Sequence, residues 1–329
     1  MKKIYPILLL LAFSLILTKT AWAEQVVVAE IDPFTGYSTA LSPEPNIRVG
    51  LFKSALPVQF VSDYTHQIYL GEVLVGVLMP GATTTLSYKK GAYFIKTAEI
   101  DLDTTDPIRL VPLDPAGYFT ILEYKRTLAY KGKTNFNAYR GTLEYIYSPK
   151  SKMPWVVNEL PLEQYVAGIG ETGNNDPIEY IKALLVAARS YGFINIDRSV
   201  PVSKSFFDVY ATTVDQLYLG YNSEMSMPKV AQAATDTYGQ MVTYNGRTVT
   251  APYFANSNGI TKTSKQVWGG IDKPWLQPVV AIYDKGKKKY GHGVGMSCYD
   301  ARARAKRDGW DYLQILQYYY TGVAVEKVY

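Results

Sequence analysis

The sequence of 329 residues predicts an α+β fold, with a mixed sheet-and-helix core preceded by a smaller β-rich N-terminal domain. Alternating apolar residues broken by turn signals dominate residues 46–125, a pattern typical of strands. Helical periodicity begins only near residue 161 and is mixed with further strands, without regular strand–helix–strand alternation. We therefore expect residues 46–125 to form the N-terminal domain and residues 126–329 to form the core domain.

The first 23 residues have the features of a secretory signal peptide. Lys2 and Lys3 precede an apolar run from Ile4 to Thr18, and Ala21-Trp22-Ala23 is the small-x-small pattern that signal peptidase cleaves. The run is shorter than the ~20 residues that a helix needs to span a bilayer. We predict cleavage before Glu24, with an uncleaved N-terminal anchor as the alternative. Either outcome places the folded chain outside the cytoplasm, secreted or associated with the cell envelope.

Residues 24–45 are expected to be a linker, because they contain three prolines and no sustained apolar period. The strand pattern then begins with Ile47, Val49 and Leu51, which alternate with Arg48 and Gly50. The further predicted strands are Gln67–Met79, Thr83–Tyr88, Ala92–Ala98, Ile108–Pro112, Tyr118–Tyr130, Ala138–Ser148 and Trp155–Asn158.

Five helical stretches are predicted in the core domain. They are Pro161–Gly168, a longer helix from Asp176, Pro228–Tyr238, Ala301–Asp308 and Tyr312–Tyr320. The second has the clearest signal, because Asp176 and Glu179 predict an acid-capped N-terminus with Pro177 in the first helical position. Its apolar residues recur at helical spacing and predict one buried face. Asn245-Gly246 predicts a hairpin over residues 240–254.

Composition excludes several classes of function. The formal charge of +5 falls to +2 without the three lysines of the signal segment, which is too balanced to indicate a nucleic-acid-binding protein. With Cys298 as the single cysteine and His66 and His292 as the two histidines, intrachain disulfides, multi-cysteine zinc sites and three-histidine sites are excluded. Residues 168–173 match the GxGxxG dinucleotide pattern, but a predicted helix rather than a strand precedes them. We therefore predict no metal and no cofactor.

The glycines of residues 168–173 place Glu171 on a tight loop just before a helix. The helix dipole would favour its ionised form, whereas a partly apolar cleft would raise its pKa. Glu171 is therefore a candidate catalytic carboxylate, with a solvated loop glutamate as the alternative. His292 lies in the glycine-rich segment Gly291–Ser297, where the alternative is a histidine bonded to backbone in a tight loop. Lys285–Lys289 holds four lysines and is expected to be a solvated loop, with contact to an anionic polymer as the alternative.

A series of sequence blocks follows in order along the core domain. They are Tyr139–Glu144, Val157–Gly168, Lys182–Tyr191, Phe207-Asp208, Gln216–Tyr218, Tyr253–Gly259, Val267–Gly269, Gly291–Ser297 and Ile315–Gly322. In this order they resemble the stage II sporulation protein D family, which includes the amidase-enhancer proteins of bacterial cell walls. The resemblance covers about residues 139–322, and the β-rich part before it is also similar to the corresponding region of that family.

The resemblance implies a protein that acts on peptidoglycan, in its best-understood form a lytic transglycosylase whose products end in 1,6-anhydro-muramic acid. It places the family's catalytic glutamate at Glu171, although Gly170, Thr172 and Gly173 replace the usual neighbours. Members that bind zinc carry cysteines within Asp208–Gln216, where this chain has none. The residues expected to position sugar or peptide groups are Arg189, Ser257, Asn258, Trp268 and His292. For Arg189 the alternative is a structural bridge from helix to sheet.

Three functions stay open at the level of sequence. The first is the lytic transglycosylase, which needs one acid because the 6-hydroxyl of the muramic acid residue is the nucleophile. The second is a non-catalytic protein that binds the cell wall and recruits or stimulates an amidase. The third is a hydrolase that uses Asp208, Asp215 or Asp284 as a second carboxylate. The expected partners are peptidoglycan glycan strands and, for the second function, a cell-wall amidase. A membrane is involved only if the signal segment stays uncleaved.

Overall fold

The computed structural model of the chain describes residues 37–38, 43–196 and 206–329. The predicted signal peptide and most of the predicted linker lie outside these residues. The described part consists of mixed sheets and helices, and the predicted α+β class is confirmed.

The elements are numbered here in chain order. The strands are β1 (Tyr37–Ser38), β2 (Asn46–Lys53), β3 (Val58–Val61), β4 (His66–Leu70), β5 (Val73–Leu78), β6 (Thr84–Lys89), β7 (Ala92–Lys96), β8 (Asp101–Thr104), β9 (Ile108–Pro112), β10 (Tyr118–Ile121), β11 (Ala138–Arg140), β12 (Thr142–Ser148), β13 (Met153–Pro161), β14 (Val209–Tyr210), β15 (Gln240–Tyr244), β16 (Arg247–Thr248), β17 (Tyr253–Phe254), β18 (Met296–Ser297) and β19 (Ala324–Lys327). The helices are α1 (Leu162–Ala167), α2 (Ile178–Asn195), α3 (Tyr221–Ser226), α4 (Pro228–Asp236), α5 (Ser264–Trp268), α6 (Cys298–Ala303) and α7 (Tyr312–Tyr319).

Two sheets contain most of the strands. The first has the order β14-β2-β13-β12-β9-β4-β5, and the second has the order β11-β10-β3-β6-β7-β8. They contact each other through aromatic side chains, since the Tyr93 ring of β7 lies 6.2 Å from the Tyr145 ring of β12 and the Tyr93 hydroxyl accepts a hydrogen bond from the Tyr147 N–H. Strands from both sides of residue 125 pair within each sheet, and the division into domains at that residue stays a prediction.

Helix α2 forms the centre of the helical half of the molecule. It packs against α1, α4, α7 and β15. Twelve of its eighteen residues are buried, so the helix is enclosed on most sides rather than on the single face that its periodicity predicts. Alanines at 183, 187 and 188 permit this, because their small side chains allow neighbouring elements to approach closely. Within the described residues, no helix is both long enough and apolar enough to cross a bilayer.

The start of α2 differs from the prediction. Pro177 takes the N-cap position, one residue before the first helical residue, and its side chain makes no capping hydrogen bond. Asp176 does not cap the helix, because its carboxylate accepts hydrogen bonds from Arg302 Nε at 2.6 Å and from the Thr172 hydroxyl at 2.8 Å. An ion pair with a distant residue therefore replaces the local cap that the sequence indicates.

The predicted hairpin is confirmed in its turn and shortened in its second strand. Asn245 and Gly246 both have positive φ angles, 51° and 72°, as a two-residue turn between twisted antiparallel strands requires. The second strand ends at Thr248. After it, Tyr253 and Phe254 leave this sheet and pair with β18 instead, which brings Tyr253 to the cleft described below.

Candidate functional site

A cleft with a volume of about 1060 Å³ opens where several connecting segments meet. It is lined by residues 130–131, 170–176, 213–217 and 251–256, and by Trp268, His292 and the start of α6. Loops positioned by rigid elements are where binding residues usually occur, and a cleft of this size can enclose several sugar rings.

Glu171 lies on a loop that is held against the segment before α3. The Gly170 N–H donates to the Leu217 carbonyl at 2.7 Å, and the Leu219 N–H donates to the Gly168 carbonyl at 2.8 Å. A Cβ atom at Gly170 would lie 2.3 Å from the Leu219 side chain, which is closer than real contacts allow. This close packing against Tyr218 and Leu219 explains Gly168 and Gly170, whereas a Cβ atom at Gly173 would meet only ordinary contacts.

The Glu171 carboxylate is half-buried in the cleft and is held at both oxygens. Oε1 accepts a hydrogen bond from the Leu217 N–H at 3.2 Å, and Oε2 accepts one from the Tyr253 hydroxyl. Burial raises the pKa of Glu171, while the Tyr253 and Leu217 hydrogen bonds and the charge of Lys131 oppose that shift with smaller effects. Glu171 thus keeps its proton to a higher pH than an exposed glutamate does, as a general acid must near neutrality.

The position of Tyr253 is fixed by a chain of hydrogen bonds that ends in the helical core. Gln216 Nε2 donates to the Tyr253 hydroxyl at 2.9 Å, and the Tyr165 hydroxyl donates to Gln216 Oε1 at 2.8 Å. Tyr165 lies on α1 and is fully buried, and Gln216 is almost fully buried. The orientation of the Glu171 carboxylate is therefore supported by residues that cannot move without disturbing the core.

Lys131 brings a positive charge to the same wall of the cleft. Its ammonium group donates to the Thr172 carbonyl and lies 3.4 Å from Met227 Sδ. In the described part of the chain it forms no ion pair, and burial lowers its pKa. Because no carboxylate neutralises it directly, its charge acts on Glu171 through space.

Trp268 and His292 both line the cleft, with ring centroids 5.0 Å apart. Trp268 is 56% exposed, so its ring offers an apolar face to whatever fills the cleft. His292 Nε2 donates to the Tyr253 carbonyl at 3.0 Å, and Nδ1 accepts from the Val294 N–H at 3.1 Å. Because one ring nitrogen donates and the other accepts, these bonds assign the neutral imidazole to His292. Burial also favours the neutral ring, since it lowers the pKa of His292.

The structure does not bring Arg189 to the cleft. Arg189 is fully buried on α2 and forms a two-pronged ion pair with Glu163, with Nε and one terminal nitrogen each 2.8 Å from a carboxylate oxygen. It also donates to the carbonyls of Ala234 and Gln240. These contacts connect α1, α2, α4 and β15. Arg189 does not line the cleft, so no contact supports the predicted role in substrate binding.

Ser257 and Asn258 lie behind the cleft wall rather than in it. Ser257 is fully buried, and its N–H and hydroxyl donate to Asp284 at 2.6 and 2.8 Å. The Ser297 hydroxyl donates to the same oxygen of Asp284 at 2.6 Å, so this carboxylate ties the loop to β18. Asn258 is exposed and does not line the cleft.

Asp215 is a second carboxylate of the cleft. Of the three aspartates proposed for a hydrolase, Asp215 lines the cleft, whereas Asp208 and Asp284 do not. Its Oδ1 accepts from the Tyr191 hydroxyl at 2.6 Å, and its Oδ2 accepts from the Tyr210 N–H at 2.7 Å. Asp208 accepts from the Arg48 N–H at 2.8 Å, away from the cleft. Each oxygen keeps a further lone pair, so these two bonds are compatible with a role for Asp215 as a nucleophile or base.

The cleft offers little to a soft metal ion. Among residues 43–196 and 206–329, no group of three or more His, Cys, Asp or Glu side chains is placed to hold one. Burial raises the pKa of the Cys298 thiol to about 12, so the thiolate that a metal would need is disfavoured. The absence of a cofactor stays a prediction.

Two residues of this site were not identified from the sequence as functional. Tyr253 lies within a block that carries the family resemblance, yet an isolated tyrosine among 29 has no distinguishing signal. Lys131 ends a short 3-10 helix, Ala129–Lys131, that carries no motif, and it reaches the cleft only through the packing of this segment against the Glu171 loop. The Glu171 loop itself belongs to a segment that comparison with known proteins identifies.

A family model described as "Stage II sporulation protein" matches residues 150–244. The resemblance predicted from the sequence is confirmed. The matched segment runs from β13 to β15 and includes Glu171, Asp215 and Gln216, whereas Tyr253, Trp268 and His292 lie beyond it.

Three curated relatives are similar to parts of the chain. Stage II sporulation protein D of Bacillus subtilis is 29% identical over 146 residues, which cover 41% of this chain and 42% of that protein. An uncharacterized protein of Brachyspira hyodysenteriae is 32% identical over 159 residues, covering 46% and 41%. The amidase enhancer of Bacillus subtilis is 34% identical over 91 residues, covering 28% and 11%. The chain thus spans about two fifths of the length of the first two relatives.

Proposed function

We propose that this protein acts on peptidoglycan outside the cytoplasm as a lytic transglycosylase, with Glu171 as its acid and base. The observation that carries the proposal is the Glu171 carboxyl group, half-buried in a large cleft, with its pKa raised by burial and its orientation set by Tyr253 and Leu217. The family match and the names of the relatives support a role in the bacterial cell wall.

The proposed reaction needs one carboxyl group. Glu171 donates its proton to the glycosidic oxygen as the bond from C1 of muramic acid to that oxygen breaks. The 6-hydroxyl of the same sugar then bonds to C1 and gives its proton to Glu171, which restores the acid. Because the nucleophile belongs to the substrate, its effective concentration is high and no second carboxylate has to activate water.

The second candidate is a non-catalytic wall-binding protein that recruits or stimulates an amidase. The specific observation in its favour is the 34% identity to a protein named amidase enhancer. A binding protein would use the same cleft and the exposed face of Trp268, and would leave glycan strands intact.

The experiment compares products from purified glycan strands and intact peptidoglycan treated with the wild type and with Glu171→Gln. We expect 1,6-anhydro ends, one water lighter than hydrolysis products in mass spectrometry. We also expect Glu171→Gln to lower turnover by about 10²–10⁴-fold, the range typical of general acid–base catalysis. Glu99→Gln makes the same chemical change at an exposed loop and serves as the control.

Each alternative gives a different product pattern. Reducing ends would show attack by water and support a hydrolase that uses Asp215. Intact strands that remain bound to the wild-type protein would support the wall-binding function instead.

A further inference from the structure

Residues 259–308 carry a strong excess of positive charge. They hold eleven lysines and arginines against four acids, a net of +7, although the whole chain has a net of only +5. Two of the four acids, Asp284 and Asp300, are fully buried and accept hydrogen bonds within the protein. The surface that this segment presents is therefore basic, and it borders the cleft on the side of Trp268 and His292.

Hydrogen bonds join the lysine-bearing loop directly to residues that line the cleft. The Lys289 ammonium group donates to the His292 carbonyl at 3.3 Å. The Asn256 side-chain nitrogen donates to the Lys288 carbonyl at 2.7 Å. Lys287 is half-buried, with its ammonium group 4.0 Å from the centre of the Tyr299 ring, another residue of the cleft.

A second lysine-bearing segment lies beside this loop. The Lys262 N–H donates to the Gly293 carbonyl at 2.8 Å, next to His292. Lys265 lies three residues before Trp268 on α5, so the two side chains share one side of that helix. We call the five exposed lysines of these segments the lysine wall: Lys262, Lys265, Lys285, Lys288 and Lys289.

The charges of the lysine wall are not neutralised within the protein. None of its five ammonium groups forms an ion pair with a residue that the structure describes. Like charges grouped on a surface repel each other and lower stability, so a grouping of this kind is typical of a surface that attracts an anionic ligand.

We infer that the lysine wall binds carboxylate groups carried by a glycan strand that lies in the cleft. The inference rests on the proposed function for the kind of polymer involved. Trp268 lines the same cleft as Glu171, shares one side of α5 with Lys265, and offers an exposed ring against which a sugar can pack. The pendant carboxylates of a strand on Trp268 then lie beside the ammonium groups. Lysine is a flexible point charge and suits such mobile groups better than a rigid bidentate partner would.

The test measures binding of the full chain in the Glu171→Gln background, so that turnover does not interfere. Carboxymethyl chitin and glycol chitin are the two probes, because they share one glycan backbone and differ in charge. We expect tighter binding to carboxymethyl chitin, and we expect this preference to disappear at 1 M salt, where charges are screened beyond about 3 Å.

A triple variant, Lys285→Gln, Lys288→Gln and Lys289→Gln, tests the wall itself. It is expected to weaken binding to carboxymethyl chitin about tenfold, since each exposed ion pair contributes a factor of about two to five. Binding to glycol chitin is expected to stay unchanged. The matched control replaces Lys53, Lys89 and Lys150 by glutamine, which removes the same charge from exposed positions on β2, on β6 and in the turn between β12 and β13.

Several results would overturn the inference. These are equal affinity for the two polymers, no binding to either, an equal loss in the control variant, or tighter binding of sodium polyphosphate, which would assign the wall to phosphate polymers. Failure of the proposed enzyme would show separately, as an absence of cleavage products from the wild type while the charge-dependent binding of the Glu171→Gln variant stays intact.

Discussion

Replacing Arg189 by methionine is expected to destabilise the fold and not to act on substrate binding directly. The guanidinium group is fully buried and pairs with both oxygens of Glu163 at 2.8 Å. Methionine has a similar length and no charge, so the substitution leaves the Glu163 carboxylate without its charged partner in a site that is 13% exposed. The perturbation is therefore the loss of one half of a buried ion pair.

Breaking a buried pair in this way costs about 3–5 kcal/mol, because the remaining charge is desolvated and uncompensated. In a chain of this size, each kcal/mol lowers Tm by about 2–4 °C, so we expect a fall of about 6–20 °C. Thermal unfolding followed by circular dichroism measures it. Binding to glycol chitin, measured below the new Tm, is expected to match the wild type.

The double variant Arg189→Met with Glu163→Gln is the control. Glu163 also accepts hydrogen bonds from the Gly239 N–H at 2.7 Å and the Tyr329 hydroxyl at 2.8 Å, and a glutamine carbonyl can keep both. Because it removes the uncompensated charge, it is expected to regain part of the lost Tm. An unchanged Tm together with lost polymer binding in the single variant would refute this reasoning and return Arg189 to the substrate.

Three further predictions concern the cleft. Lys131→Met removes a charge that favours ionised Glu171, so the pKa of Glu171 is expected to rise. Glu171 then stays protonated to a higher pH, and the alkaline limb of the pH–activity profile moves to higher pH. The control Lys133→Met changes an exposed lysine and is expected to leave the profile in place. Gly170→Ala forces the Leu219 side chain to shift, and we expect the free energy of unfolding in urea to fall by about 1–3 kcal/mol. Because the shift displaces the loop that carries Glu171, turnover is expected to fall as well. Strong chelators are expected to leave Tm unchanged, and stoichiometric zinc lost together with stability would contradict this.

The elements that local pattern determines were predicted well. The hairpin turn at Asn245-Gly246 and the helix that begins near residue 178 follow from short-range signals, turn chemistry and apolar periodicity. One error is local, because the predicted strand Gln67–Met79 is two strands, β4 and β5, which pair across a turn at Gly71-Glu72. Another is found where a distant partner outweighs a local signal. Asp176 has the composition of a helix cap, but Arg302 in α6 pairs with it instead, and no local pattern encodes that contact.

The residues of the candidate site show the same difference between what a local pattern predicts and what a distant contact determines. Glu171 could be proposed because glycines surround it and because its block resembles a known family. Tyr253 and Lys131 could not be proposed from the sequence, because their roles arise from contacts with distant residues. Tyr253 donates to Glu171, 82 residues away, and Lys131 donates to Thr172, 41 residues away. At Arg189 the contacts fit the alternative of a bridge from helix to sheet, because it pairs with Glu163 of α1 and donates to the Gln240 carbonyl of β15.

The position of β2 in the larger sheet has a consequence for how the chain folds. This strand, Asn46–Lys53, pairs on one side with β13 and on the other with β14, so its partners are synthesised more than a hundred residues later. Until they arrive, Ile47, Val49 and Leu51 have no sheet in which to bury their side chains. Long-range pairing of this kind slows folding and prolongs the exposure of apolar segments to aggregation. During synthesis β2 therefore stays unpaired until β13 and β14 are made, and a chaperone that shields residues 46–53 would protect it during that time.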